Sequence, residues 1–196
     1  MPINPLTRRG VILGASALMA ASAVPGRAEV STEDYRASGG QAPVSRNVSA
    51  FATHDWRDHF DAPGLGMIVA DTGSRSLHRW DENGEDYRVF PTSVPVSEEL
   101  TRRGYTEIVR KRVGPDWTPT PSMVARNPEL RYMPPGPGNP LGTHAMYLDW
   151  PAYLIHGTHD SRKIGRPSSD GCIGLYNAMI EELFAMTPVG TQVRLI

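Results

Sequence analysis

Glycine and proline interrupt this chain so often that long helices have little room: 19 glycines and 18 prolines stand among 196 residues. Glycine opens turn conformations that other residues avoid, and proline fixes φ and removes a backbone donor. Between the interruptions lie short apolar or alternating runs, the pattern of strands. Gly66-Met67-Ile68-Val69-Ala70-Asp71 is a compact apolar run, followed by a turn at Thr72-Gly73-Ser74 and a second run at Leu77-His78-Arg79-Trp80. The Asn83-Gly84 step favours a tight hairpin into Tyr87-Arg88-Val89-Phe90. Residues 106–110, 145–148, 153–156 and 192–196 continue the series. Two helical stretches are expected. One is 121–126, opening with the proline that suits a first turn. The other is 178–186, with Asn177 as its cap and Met179, Ile180, Leu183 and Phe184 at helical spacing. The expected fold is therefore mostly β, a compact sandwich or barrel with one or two short helices. Residues 114–142 are the densest in proline and glycine. They include Trp117-Thr118-Pro119-Thr120-Pro121 and the run from Met133 to Gly142. A long, stiff loop of this kind is expected to serve as a lid or binding wall, the alternative being a surface loop with no role.

The N-terminus reads as an export signal. Arg8-Arg9 precede an uncharged stretch at 11–24, and the small-residue sites Ala21-Ser22-Ala23 and Gly26-Arg27-Ala28 follow. The stretch is short of the roughly 20 apolar residues of a membrane span. Thr7-Arg8-Arg9 also resembles a twin-arginine signal. An ordinary secretory signal and an uncleaved anchor stay open. Residues 1–28 are thus expected to be a signal peptide, the only part at the membrane, and the mature protein to reside in the periplasm or cell envelope. Cleavage there removes three arginines and no acid, leaving 17 basic against 21 acidic residues and a net charge of −4. That balance argues against a nucleic-acid partner, which calls for a basic patch. Residues 29–63 are polar, rich in Ser, Gly and Arg, and read as a leader that docks through Phe51, Trp56 and Phe60. Residues 64–196 form one domain, long enough to bury a core and expected to be a monomer.

Cys172 is the only cysteine. An unpaired thiol in an exported chain is a liability unless it has a task. His156 lies 16 residues upstream, and a thiol activated by a histidine is a natural nucleophile. The blander alternatives are a small buried hydrophobe for Cys172 and a satisfied core residue for His156. A zinc site from His156, His159 and Cys172 lacks the His-Glu-x-x-His helix pattern and an obvious flanking acid. No metal or cofactor is expected.

Several motifs occur in a fixed order: Trp117-x-Pro119-Thr120-Pro121, Asn139-Pro140-Leu141-Gly142, Tyr147-Leu148, Ile155-His156-Gly157-Thr158, Ile164-Gly165, Ser169-x-Gly171-Cys172-Ile173 and Val189-Gly190-Thr191-x-Val193. From roughly Gly66 to Ile196 the chain resembles the L,D-transpeptidase (YkuD-type) catalytic domain. The resemblance implies a mostly β fold and an exported enzyme of peptidoglycan metabolism. Family members cleave the bond after the third residue of a stem peptide and pass the acyl group to an amine. It implies Cys172 as nucleophile, activated as thiolate by His156 as general base, with the Gly157 carbonyl orienting the imidazole. Gly171 leaves backbone room, and the amides of Gly171 and Cys172 are expected to face the oxyanion, worth about 3–4 kcal/mol in other acyl-transfer enzymes. Ser169 is expected to hold the loop or bond the site. His144, Trp117, Tyr147, Asp170 and Gly174 are the expected substrate contacts, peptidoglycan stem peptides the partners, and carbapenem-type β-lactams the inhibitors.

Two positions depart from the family, which commonly has His where this chain has Asp170 and Arg where it has Gly174. A carboxylate near a thiol disfavours its ionisation, so Asp170 is expected to point outward or to pair with Arg162, Lys163 or Arg166. Loss of an arginine removes a bidentate donor for the carboxylates that stem peptides carry. Two alternatives stay open: an L,D-carboxypeptidase with water as acceptor, and a cell-wall-binding module that has lost catalysis.

Overall fold

The structure, a computed structural model, describes residues 52–196; the expected signal peptide, most of the leader and Phe51 lie outside the described residues. Ten strands follow in order: β1 (Met67–Asp71), β2 (Ser76–Trp80), β3 (Tyr87–Pro91), β4 (Val94–Pro95), β5 (Gly104–Val113), β6 (His144–Leu148), β7 (Leu154–His156), β8 (Pro167–Ser169), β9 (Ile173–Gly174) and β10 (Gln192–Leu195). Helix α1 (Pro121–Arg126) lies between β5 and β6, and α2 (Asn177–Ala185) between β9 and β10. Among the described residues no helix is long and apolar enough to cross a membrane.

Eight strands make one mixed sheet in the order β3-β2-β1-β10-β5-β6-β7-β9, while β4 and β8 pair in a small parallel ribbon. A bridge between Ser93 and Gly174 links the chain just after β3 to β9 at the other edge. The sheet therefore curls into a half-barrel, and the bridge shields two edges that would otherwise offer unpaired backbone groups. Of the two forms left open by the strand pattern, the barrel-like one is adopted.

Strand β1 explains the curl from the inside. Ile68 and Ala70 face the main core with Leu77, Ile108, Met146, Ile155, Val193 and Leu195. Met67 and Val69 face the other way, into a second cluster with Phe60 and Trp80 and the flanking Trp56 and Ile196. A central strand buried on both faces needs a continuous apolar run rather than alternation. The second cluster exists because Trp56 and Phe60, ahead of β1, pack there. Helix α2 buries Ile180 and Leu183 in the main core and packs on β6.

Local details differ from expectation in two places. The β2–β3 connection is a longer loop, not a two-residue hairpin, because Asp81 Oδ1 accepts from the amides of Glu85 (2.7 Å) and Asp86 (3.1 Å). Helix α2 is capped by the backbone of Tyr176, with Asn177 already in its first turn and its side chain turned elsewhere. Helix α1 starts as the sequence suggests, with Pro121 in its first turn and the Thr120 hydroxyl accepting from Met123 N.

Candidate active site

Strands β7 and β9 run parallel, Ile155 opposite Ile173 and His156 opposite Gly174. Side chains alternate along a strand, so this register turns His156, Gly174 and Cys172 to one face. Gly174 presents no side chain to the imidazole. Its backbone exchanges hydrogen bonds with Ser93, at 2.8 and 3.3 Å, and a Cβ there would overlap Ser93 Oγ.

His156 Nδ1 bonds the Gly157 carbonyl at 2.5 Å. A carbonyl only accepts, so Nδ1 carries the proton and Nε2 is left free to accept one. The turn that carries Gly157 is itself pinned. Asn177 Oδ1 accepts from Thr143 N (3.2 Å) and Thr158 N (3.1 Å), tying the starts of β6 and α2 to the end of β7. The fit is close: a Cβ at Gly142 (φ +64) would lie 2.5 Å from Thr158 N and 2.6 Å from Gly157 C.

The thiol sits on a loop built for it. Ser169 Oγ donates to the Cys172 carbonyl at 2.6 Å, and the Gly171 amide donates to Ser169 Oγ at 3.4 Å. Gly171 holds φ +128, and a Cβ there would press on the Tyr153 ring at 3.2 Å and the Leu100 carbonyl at 3.4 Å. With the Gly171 amide turned to Ser169, Cys172 N is the amide free of a protein acceptor among the described residues. Cys172 Sγ donates to the Ala152 carbonyl at 3.5 Å. Ala152 lies in the left-handed region (φ +64) in the turn after Pro151, a conformation that costs a side-chain-bearing residue energy and recurs at functional sites.

Burial sets the protonation states. It pushes the His156 imidazole down to about 4, the Gly157 carbonyl working against it and the Lys163 ammonium with it. It pushes the Cys172 thiol up to about 11, a Leu154 backbone contact opposing and the Asp170 carboxylate adding to the rise. Both shifts favour a neutral thiol and a neutral imidazole at rest. Burial thus works against the resting thiolate expected from the sequence, since it disfavours both charged forms.

Two cavities meet at Cys172. One, of about 240 Å³, is lined by His156, Lys163, Ser169 and Asp170 among others. The other, of about 300 Å³, is lined by Arg110, Arg112, Asp116, Tyr147 and Ala152. Trp117, Met123 and Leu141 border both, so the proline-rich loop covers the thiol as a wall between them. That loop is closed at its base, where Trp117 and Met133 exchange backbone hydrogen bonds at 2.9 Å. Buried Asn139 ties the loop together further: its amide nitrogen donates to the carbonyls of Pro115 and Pro134 and shares the Met133 carbonyl with Trp117 N.

The structure brings Cys172, His156, Ser169, Asp170 and Trp117 to one cavity and Tyr147 to the other, with the Arg110 guanidinium stacked 3.4 Å over its ring. Gly174 contributes backbone and empty space rather than a contact group. His144 is not brought in. Ala145 is the residue beside His156 in the β6–β7 register, so His144 faces the other side, against Phe184. Asp170 points outward to Arg126 of α1, not to Arg162, Lys163 or Arg166; Arg162 is engaged by Asp160. His159 is exposed and lines neither cavity. Among the described residues no group of three His, Cys, Asp or Glu could hold a metal ion. The roles of Asn177 and Asn139, and Ser93 altogether, escaped the sequence reading. Each acts through a contact distant in sequence, and Asn177 in particular carries the signature of a helix cap.

Comparison with known proteins bears on identity. The family model described as the L,D-transpeptidase catalytic domain (YkuD) matches residues 66–195. A Fuscovulum blasticum protein, named as an L,D-transpeptidase in the ATP synthase subunits region (ORF 5), is 68% identical over 155 residues, 79% of this chain and 82% of that relative. The Escherichia coli K12 protein named L,D-transpeptidase ErfK/SrfK is 36% identical over 135 residues, and the match spans 66% of this chain but 43% of that relative. Among solved structures, an L,D-transpeptidase from Mycobacterium smegmatis superposes with a TM-score of 0.54 at 18% identity, over 68% of this chain and 59% of that one. LdtMt1 in complex with imipenem gives 0.53 at 17% identity, over 68% and 59%. The structural likenesses speak for the fold alone; the sequence matches go further, and on them this chain belongs to the L,D-transpeptidase (YkuD-type) catalytic domain family.

Proposed function

We propose that the chain is an exported cysteine L,D-transpeptidase that cross-links peptidoglycan. The observation that supports this most is the position of Cys172, where two cavities meet beneath the lid with His156 in one of them. Two cavities on either side of a nucleophile suit a reaction that brings two peptides to one atom in turn. In the first half-reaction Sγ attacks the carbonyl of the third residue of a stem peptide, and His156 Nε2 takes the thiol proton. The Cys172 amide faces the developing oxyanion. Collapse breaks the peptide bond, His156 returns the proton to the leaving amine, and a thioester remains on Cys172. In the second half-reaction an amine attacks the thioester, gives a proton to His156, and the thiol leaves with that proton restored. The burial that holds both groups neutral fits this order, since the proton then moves only when attack begins. Carbapenems, whose strained amide presents the same kind of carbonyl, fit as acylating inhibitors. Export belongs to the same proposal and rests on residues 1–28 of the sequence.

The test is incubation of the purified chain with tetrapeptide muropeptides, followed by mass spectrometry. Dimers and one released terminal residue per transfer are expected. Cys172→Ala is expected to lower dimer formation by about 10⁴-fold or more, as loss of a covalent nucleophile does elsewhere. Dimers formed by Cys172→Ala at the parental rate would sink the nucleophile assignment. Trimmed monomers without dimers would move the acceptor from an amine to water.

A further inference from the structure

Lys163 carries a charge with no ion-pair partner within 4 Å among the described residues, although it adds to the field that lowers Asp160. Four ionisable side chains line the cavity on the His156 side of the thiol: His156, Lys163, Asp170 and Cys172. Asp170 is engaged by Arg126. Asp160, next to the same turn, is held by Arg162 through bonds of 2.8 and 2.9 Å. Lys163 makes no ion pair among the described residues. Its backbone is nonetheless fixed at the end of the 3-10 turn Ser161–Lys163, donating to the Asp160 carbonyl and accepting from Arg166 N and Ser168 Oγ. No second permanent cation lines this cavity. Position 174, across the strand pair from His156, cannot supply one without displacing Ser93, because its Cβ would overlap Ser93 Oγ.

An ammonium held beside a partly apolar cavity, with the nearby carboxylates already paired, gains most from an anion that a ligand brings in. Such a charge-assisted hydrogen bond is among the stronger polar contacts available. An ammonium is also a point donor on a flexible stem, so it accepts a carboxylate over a range of angles where a guanidinium fork would demand one. We propose that Lys163 binds a carboxylate of the peptide lodged on the His156 side of Cys172 and so sets a preference for that carboxylate over its amide. The proposal rests on the reading that the substrates are stem peptides.

The experiment is steady-state kinetics of the parent, Lys163→Met and Lys163→Arg on two stem-peptide probes that differ only in one carboxylate, free or amidated. The parent is expected to show a KM about tenfold lower for the free acid, the worth of one charged hydrogen bond. Lys163→Met should raise that KM about tenfold, leave kcat within about twofold, and leave the amidated probe unchanged; Lys163→Arg should keep most of the preference. Lys163 makes no side-chain bond among the described residues, so an unchanged thermal melt is expected for both variants. A parent that turns over both probes with one KM overturns the role of Lys163 and leaves the substrate reading standing. An equal rise on both probes in Lys163→Met overturns it as well. A parent that turns over neither, while a carbapenem still acylates Cys172, sinks the substrate reading and the Lys163 role with it.

Discussion

A neutral thiol beside a neutral imidazole must lose its proton during attack, and this fixes the pH dependence expected of Cys172. With His156 pushed to about 4 and Cys172 to about 11, neither changes state between those limits. The rate of acylation by a carbapenem, followed in single turnover, should therefore stay within about twofold from pH 9 down to pH 5 and turn down only as the pH nears 4. The base must be unprotonated to work, so the acid limb reports His156. A midpoint near 6.5 instead would mean that the imidazole is solvated as in an open peptide, or that an ion pair forms at rest. Asp170 bears on the same balance. Its carboxylate adds to the rise of the thiol, and Arg126 draws it outward and neutralises it in part. Both partners are largely exposed, so the pair contributes little to stability, on the order of 0–1 kcal/mol. Its structural consequence is that the short helix of the lid is tied to the loop that carries the nucleophile.

Strands β7 and β9 are only three and two residues long, yet their register decides which side chains share a face with the thiol. Such short strands are held by what surrounds them, and Asn177 is the clearest holder. Asn177→Leu would leave the amides of Thr143 and Thr158 without their acceptor, at a cost of about 1–3 kcal/mol for each. A lower urea midpoint is expected, together with a fall in kcat of about tenfold as the Gly157 turn that orients His156 loosens. Asn177→Asp keeps the acceptor oxygen and should recover most of kcat. A variant with parental kcat and a lower midpoint would make Asn177 a purely structural residue. The same elements show what a sequence can reveal. The apolar run of β1, the helical spacing of α2 and the proline-rich lid were legible because each is written in consecutive residues. Strands β4, β8 and β9 were not, since two or three residues show no alternation. His144 lies outside both cavities for a related reason: a one-residue step in β6 puts Ala145, not His144, beside His156. Asn177 looked like a cap because capping preference is local, whereas the amides that donate to its Oδ1 lie 19 and 34 residues upstream. The family motifs located Cys172 and His156, but the neutrality of the pair comes from burial, which only the assembled fold determines.

The molecule as a whole carries a second polar assembly, built where residues 54–59 meet the sheet on the side away from the main core. Arg194 donates to His59, His59 bonds His54, and His54 bonds Asp71, each at 3.2 Å. Ser74 Oγ donates to Asp71 at 2.6 Å and bonds Ser76 Oγ at 2.7 Å; Ser76 Oγ bonds His78 at 2.8 Å, and His78 bonds the Tyr87 hydroxyl at 2.7 Å. Three of the chain's six histidines thus join the leader to β1, β2, β3 and β10. His78 is fully buried, and burial together with the neighbouring His54 pushes it down to about 4, Asp71 opposing. His59 is pushed down by burial as well. A histidine whose folded value lies below its unfolded value of about 6.5 takes up its proton first in the unfolded chain. Its contribution to stability is complete above that value and is lost as the pH falls from about 6.5 to about 4. His156 is shifted the same way over the same window, so the two losses add. Each is worth at most about 1.4 kcal/mol per pH unit inside the window. Urea midpoints measured at pH 7, 6, 5 and 4.5 should therefore fall steeply as the buffer becomes more acidic, without any change in the contacts of the native state at pH 7. His78→Gln can keep one hydrogen bond to Ser76 or Tyr87 but binds no proton. It should be less stable than the parent at pH 7, and its midpoint should decline with a slope smaller by about one proton. Parallel slopes for the two proteins would mean that His78 takes up its proton equally well folded and unfolded, and that the leader's histidine assembly carries no acid sensitivity.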